Sequence, residues 1–89
     1  MLTTDYMAGY VLIDVGHGDV QRVVERLLQH PNVHRAHALL GPNDIIAYLE
    51  CHDSDELMRV VDDQIRALPE VVRTDTRLVL MRHARRTSG

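Results

Sequence analysis

The sequence has no tryptophan, no phenylalanine and no lysine, and it contains a single cysteine among its 89 residues. Without bulky aromatic rings, a large aromatic-lined pocket is not expected, and the core must consist mainly of Val, Leu, Ile and Met side chains. The lone Cys51 has no partner for an internal disulfide, which suits a reducing compartment. We expect this thiol to be a small buried apolar group rather than a reactive one.

A strong net charge and long apolar runs are absent as well. The formal net charge is −3, whereas binding to a phosphate backbone requires a basic stripe. The basic run of the chain lies in residues 82–86, so no direct DNA binding is expected. No run approaches the roughly 18 apolar residues of a membrane helix, and residues 1–5 lack the layout of a signal peptide. These absences predict a cytoplasmic protein that does not contact a membrane.

The clearest local signal is a turn at residues 41–44, formed by Gly41, Pro42, Asn43 and Asp44. Glycine permits a positive φ, proline fixes φ, and Asn and Asp side chains bond to nearby backbone, so all four favour turns. Apolar runs at residues 33–40 and 45–51 flank this turn, and the third strand is expected at residues 44–52. The arrangement predicts a β-hairpin made of the second and third strands.

A strand and a helix are predicted before the hairpin. Residues 6–15 form an almost continuous apolar run, which predicts a first strand with both faces covered. Asp19 is the expected N-cap of a first helix, and Pro31 follows its end. The apolar stripe of this helix recurs at helical spacing and comprises Val20, Val23, Val24, Leu27 and Leu28.

A second helix and a last strand are predicted after the hairpin. The helix is expected to begin after Asp53 or Ser54 as its N-cap and to end at residues 68–70. Its apolar stripe consists of Leu57, Val60, Val61, Ile65 and Leu68. Alternation in the last strand, residues 71–82, places Thr74 and Thr76 on one face. The other face of this strand carries Arg73, Asp75, Arg77, Val79 and Met81.

The resulting order, β-α-β-β-α-β, predicts an α+β protein with a ferredoxin-like sandwich. Two short helices cover only one face of its four-stranded antiparallel sheet. The other face is apolar in the first and third strands and needs a cover, so we predict a homodimer of the dimeric α+β barrel type. In this interpretation residues 1–82 form a single domain, and residues 83–89 form a polar, basic C-terminal tail.

Three stretches together resemble the effector-binding domain of Lrp/AsnC-type regulators, also called the regulation of amino-acid metabolism domain. They are residues 31–33 (PNV), 40–46 (LGPNDII) and 68–76 (LPEVVRTDT). The resemblance extends over about residues 6–81. Full-length members of the family carry an N-terminal helix-turn-helix, for which residues 1–5 leave no room. The resemblance therefore implies a stand-alone form of the domain.

The resemblance also implies an assembly and a ligand. Domains of this family dimerise through their sheets, and the dimers form rings such as octamers. An amino acid or a related metabolite binds between dimers, near the Gly-x-x-Asp turn. The implied function is non-enzymatic and needs no cofactor: the domain senses an effector and modulates transcription by assembling with full-length regulators. Carried onto this chain, the ligand-binding residues are Gly41, Pro42, Asn43, Asp44, Thr74 and Thr76.

The chemistry of these residues suits a zwitterionic amino acid. Asp44 offers an acceptor for the ammonium group, and backbone N–H groups beside Gly41 offer donors for the carboxylate. The hydroxyl groups of Thr74 and Thr76 both donate and accept hydrogen bonds. Each residue also has a purely structural explanation, because Asp caps tight turns and Thr favours strands. The residues by themselves leave both interpretations open.

Two other functions fit the same order of elements. A small cofactor-independent enzyme of the dimeric α+β barrel type, such as a monooxygenase or an isomerase, would use His37, Tyr48 or His52 in a cavity between sheet and helices. A pure assembly module would bind no small molecule at all.

A metal site is not predicted, although the chain has six histidines. No Cys or His pair has the spacing of a zinc site. His34 and His37 are three residues apart on a predicted strand, so they are expected to lie on opposite faces of the sheet.

Overall fold

Four strands and two helical segments follow one another in the predicted order. The computed structural model of the chain describes residues 6–81, so the predicted tail at 83–89 lies outside the described residues. The elements are β1 (Met7–Val15), α1 (Val20–Leu28), β2 (Val33–Ala38), β3 (Ile45–Cys51), α2 (Ser54–Val60), a π-helical turn (Val61–Ile65) and β4 (Val71–Leu78). The predicted α+β, ferredoxin-like fold is thereby confirmed.

The strands form one antiparallel sheet in the order β2-β3-β1-β4. The central strands β1 and β3 pair from Met7 opposite Cys51 to Ile13 opposite Ile45. The side chains that alternate along the middle of these strands face the helices and are 0% exposed, namely Val11, Ile13, Ile45, Ala47 and Leu49. Cys51 is 3% exposed, which confirms the expected buried thiol. Burial raises the pKa of this thiol, as expected for a charge disfavoured in an apolar surrounding.

Carboxylate side chains start both helices. Asp19 accepts a hydrogen bond from the backbone N–H of Gln21 at 2.9 Å. Asp53 accepts one from the N–H of Glu56 at 2.8 Å, so Asp53 rather than Ser54 is the N-cap of α2. The Glu56 carboxylate in turn accepts from the N–H of His52 at 2.6 Å, one residue before the cap. These bonds satisfy backbone donors that a helix N-terminus otherwise leaves unpaired.

The sequence predicts one helix from residue 53 or 54 to residues 68–70. In the structure this helix changes to a wider π turn after Val60. The N–H of Arg66 donates to the carbonyl of Val61 at 2.8 Å, which is an i to i+5 bond. Val61 and Ile65 are each 1% exposed, so the apolar stripe stays buried through the change. Because α and π turns both keep this stripe against the sheet, the apolar pattern does not distinguish them.

All four strands are shorter than predicted, and β1 begins at Met7 rather than residue 6. β2 ends at Ala38 rather than residue 40, β3 spans 45–51 rather than 44–52, and β4 ends at Leu78 rather than residue 82. Leu40 is fully exposed and Leu80 is 92% exposed. Just beyond this end of β4, the Val79 N–H donates to the Ala8 carbonyl at 2.9 Å. An apolar residue extends a strand only where a neighbouring strand is present to pair with it.

The prediction that His34 and His37 lie on opposite faces is wrong. The pairing of β2 with β3 shifts register between Val33 and Arg35, which marks a β-bulge at His34. His34 Nδ1 lies 3.4 Å from the Glu50 carboxylate, while His37 pairs with Ile46 on that same face of the sheet. The extra residue of a bulge changes the alternation that follows it.

Both helical segments pack on one face of the sheet, so no helix among residues 6–81 covers the other face, although Ala8 on that face is buried. We call this surface the open face and define it by Tyr10, Leu12, Ile46 and Tyr48, which are all partly exposed. The rings of Tyr10 and Tyr48 lie 5.2 Å apart, and the Arg35 guanidinium lies 4.7 Å above the Tyr48 ring. The predicted need for a partner on the open face stays a prediction.

Within the described residues, no helix is long and apolar enough to cross a membrane.

Candidate functional site at the turn between β2 and β3

Asp44 joins the turn to the end of β1. Its carboxylate accepts a hydrogen bond from the backbone N–H of Val15 at 2.8 Å. Its own N–H donates to the Ile13 carbonyl at 3.0 Å, and its carbonyl accepts from the Leu39 N–H at 2.8 Å. Asp44 therefore fastens the turn to β1 through a long-range hydrogen bond, rather than through the local Asx cap expected at a tight turn, whether or not a ligand also contacts it.

Asn43 extends this connection across the sheet. Its side-chain amide donates to the Asp14 carboxylate at 2.9 Å. The other oxygen of Asp14 lies 3.5 Å from Nε of Arg73, which pairs with Asp14 across β1 and β4. Asn43, Asp44, Asp14 and Arg73 are called the turn cluster below. The turn cluster thus joins the hairpin to two other strands of the sheet.

The start of the turn is open. Gly41 has a φ of +151°, which side-chain-bearing residues rarely adopt. A Cβ atom placed on Gly41 meets no atom within 4 Å. Gly41 and Pro42 are both exposed, so another molecule has access to the backbone at this point.

The structure does not bring all six predicted residues together within one chain. Thr74 pairs with Ile13 and Thr76 with Val11, whose side chains point toward the helices. Both threonines therefore lie on the helix-side face of β4, half-buried, while Arg73 lies on the opposite face. No hydrogen bond among residues 6–81 joins either threonine to the turn.

The turn cluster carries charges of both signs on a half-exposed surface. Asp14 and Asp44 supply two carboxylates, and Arg73 supplies one guanidinium whose side chain is 78% exposed. Carboxylates accept hydrogen bonds from an ammonium group, and a guanidinium donates two to a carboxylate. The arrangement thus has the complementary groups for a zwitterion, with an open backbone turn at Gly41 beside them.

Sequence reasoning missed Asp14 and Arg73 as members of this cluster. The available signal for Asp14 is its position as the one carboxylate late in the apolar run of β1. A charged residue at such a position needs a polar partner. The alternation of β4 predicts the correct face for Arg73. What the sequence does not contain is the strand order, which makes β1 the neighbour of both β3 and β4.

The two described cavities do not bring together the residues proposed for an enzyme, because one is lined by His52 alone of the three and the other by none of them. His37 and His52 are exposed. Tyr48 lies on the open face, where its hydroxyl group donates to the Glu50 carboxylate at 2.9 Å. Burial and this hydrogen bond raise the pKa of Tyr48 to about 12, so the phenol is neutral near pH 7. No group of three His, Cys, Asp or Glu side chains within the described part of the chain is arranged to hold a metal ion.

A family comparison decides the assignment. The sequence profile of the Lrp/AsnC ligand binding domain matches residues 8–88. The chain belongs to this family. The resemblance read from residues 31–76 is thereby confirmed, and the turn cluster lies within the matched residues. No match was found among curated proteins.

This Lrp/AsnC domain is similar in structure to a protein of about its own length and to longer regulators. TTHA0845 from Thermus thermophilus is 32% identical with a TM-score of 0.82, covering 89% of this chain and 99% of that one. AsnC from Escherichia coli is 24% identical with a TM-score of 0.82, covering 94% of this chain and 56% of AsnC. A Neisseria meningitidis regulator solved as an L-Met complex is 18% identical with a TM-score of 0.79, covering 92% and 55%. The Lrp/AsnC domain thus spans about half the length of these two regulators, and its likeness to them concerns the fold.

Proposed function

We propose that this Lrp/AsnC domain binds an amino acid or a related small metabolite and, through its assembly, modulates transcription. The observation that carries the proposal is the turn cluster beside the open backbone of Gly41. It offers an acidic group for an ammonium and a basic group for a carboxylate within one connected network. The L-Met complex of the Neisseria regulator, which shares the fold, supports an amino acid as the class of effector.

The binding site in this proposal is shared between copies of the chain. Gly41, Pro42, Asn43 and Asp44 come from one copy, and Thr74 and Thr76 come from another. Both threonines lie on the helix-side face of β4, opposite to the face that carries Arg73, so a single chain does not present them to its own turn. This position supports a site shared between copies. An effector held at such a boundary stabilises the assembly that forms the site, as linkage requires.

The assembly in this proposal begins with a homodimer that covers the open face. Dimers then associate into a ring of the octamer kind, and full-length Lrp/AsnC regulators are candidate members of mixed assemblies. The partly exposed tyrosine and aliphatic side chains of the open face support the first step. Neither DNA nor a membrane is a direct partner in this scheme.

The first test is calorimetric titration of the protein with a panel of L-amino acids. We expect saturable binding of at least one of them. In Asp44→Asn the amide oxygen still accepts from the Val15 N–H, but the negative charge is lost. This variant should keep its fold and bind about tenfold or more weakly, since a hydrogen bond to a charged group is worth about 1.5–3 kcal/mol.

Asp63→Asn is the matched control, because Asp63 is exposed on the π turn and takes no part in the bonds of the turn cluster. It should bind as the parent protein does. Equal binding by the parent and Asp44→Asn would remove Asp44 from the site. Absence of binding throughout the panel would favour a pure assembly module instead.

A non-enzymatic function accords with the family, whose solved relatives include transcription regulators. An enzyme of the α+β barrel type remains the alternative. Incubation of the protein with candidate oxygenase or isomerase substrates, followed by mass spectrometry, separates the two. We expect no turnover, and turnover that is lost in Tyr48→Phe would contradict the proposal.

A further inference from the structure

A cavity of about 240 Å³ lies between the two helical segments, away from the turn cluster and the open face. Its apolar lining is supplied by α1, β2 and the end of the second helical segment. These side chains are Leu27, Pro31, Val33, Val60, Ile65 and Leu68. An engineered apolar cavity of about 150 Å³ takes up benzene, so this volume has room for about ten non-hydrogen atoms.

Each polar side chain that lines the cavity offers at least one donor, and none of them is a carboxylate. These polar side chains are Arg26, Gln29, His30 and Gln64. Arg26 has no carboxylate within ion-pairing distance among residues 6–81. The side chains of Gln29 and Gln64 likewise make no hydrogen bond with other described residues. Their donors therefore remain available to a ligand.

The histidine is held in a form that can also donate. Nδ1 of His30 accepts a hydrogen bond from the Asn32 N–H at 3.2 Å. In the neutral ring the proton must then reside on Nε2, which makes that nitrogen a donor.

The carbonyls at the end of α1 are partly negative, but two of them, on Arg26 and Leu27, already accept from the N–H groups of Gln29 and His30. The full charge of Arg26 exceeds the partial charge of a helix end, about half an elementary charge.

The wall of the cavity includes the irregular part of the second helix. Gln64 and Ile65 belong to the π turn that replaces a regular α-helical turn. Single π turns inside helices are rare and occur frequently at functional sites.

We infer that this cavity is a second ligand site, which binds a small aliphatic carboxylic acid. The carboxylate contacts the Arg26 guanidinium, and the branched tail occupies the apolar space between the helices. Such a ligand lacks the ammonium group that the turn cluster would recognise, so the two sites differ in the chemistry that they select.

The test is titration of the whole chain with 4-methylpentanoate, followed by calorimetry and by amide shifts in NMR spectra. We expect one saturable site per chain, with shifts centred on Leu27 and Val60. Arg26→Gln should weaken binding by about tenfold or more, in line with loss of a charge-assisted hydrogen bond. Gln64→Trp, which fills the cavity from an exposed position, should abolish binding.

Two controls make the result specific. Arg22→Gln removes an exposed arginine of the same helix that does not line the cavity, and should bind as the parent does. Asp44→Asn should also leave this binding unchanged, which separates the second site from the proposed effector site. Equal affinity for 4-methylpentanoate and its neutral amide, parent-like binding by Arg26→Gln, or no saturable binding would each overturn the inference.

Discussion

Asp44 shows how one side chain serves the fold before any ligand is considered. Its carboxylate holds the N–H of Val15 at a point where the register between β1 and β4 shifts. Without that acceptor, a partly buried backbone donor at the bulge has no protein partner. The same negative charge is a reason to expect an ammonium group nearby. The structural role of Asp44 and its proposed role in ligand binding are therefore separable only by a substitution that keeps the side-chain acceptor oxygen and removes the negative charge.

The stability of two Asp44 variants measures the structural part. Asp44→Ala should lower the free energy of unfolding by about 1–3 kcal/mol, because it leaves the Val15 N–H unpaired. Asp44→Asn should cost less, because its amide oxygen still accepts. Urea denaturation followed by circular dichroism provides both values. Equal losses for the two variants would mean that the charge, rather than the acceptor, stabilises the turn.

The titration of Tyr48 is a second residue-scale prediction. Burial, followed by the hydrogen bond to Glu50, raises its pKa from 10.0 to about 12. The folded protein keeps this proton where the unfolded chain loses it, so stability should fall as pH rises from about 10 to about 12. The chain has three tyrosines and no tryptophan, so tyrosinate absorbance near 295 nm follows the ionisation directly.

A late phase with a midpoint near pH 12 should be present in the parent and absent in Tyr48→Phe. Tyr10→Phe is the matched control and should retain that phase. A parent titration that is complete by pH 11 would contradict the assigned environment of Tyr48.

At the scale of elements, the start of α2 depends on its carboxylate cap. Asp53→Ala should lower the free energy of unfolding by about 1 kcal/mol, because it removes the acceptor for the Glu56 N–H. Asp63→Ala, an exposed change later in the same segment, should have a smaller effect. Thermal and urea unfolding of both variants would provide the comparison. Equal effects would assign the loss to charge rather than to capping.

The sequence is most informative about elements whose evidence is local. Asp19 and Asp53 predict the helix starts, and alternation in β4 places Thr74 and Arg73 on opposite faces. The π turn after Val60 and the bulge at His34 were not predicted. Each involves one extra residue in a pattern that still buries the same apolar side chains. The Asp14 contacts depend on which strands are neighbours, so no local pattern indicates them.

At the scale of the whole molecule, the open face determines the proposed assembly. Ile46 pairs with Leu12 near its centre, and a charge there would be buried without a partner in a dimer. Ile46→Glu should therefore shift the protein toward single copies at micromolar concentration, with little change in its circular dichroism. Met58→Glu, which places the same charge on the exposed side of α2, should assemble as the parent does. Sedimentation velocity distinguishes these outcomes.

The most direct test of the central claim is the mass of the protein in solution, with and without amino acids. Light scattering of the purified chain should give a multiple of 10.2 kDa. An amino acid that binds at the turn cluster should increase that multiple, or hold it constant on dilution. A particle of 10.2 kDa that no amino acid changes would contradict both the shared site and the assembly.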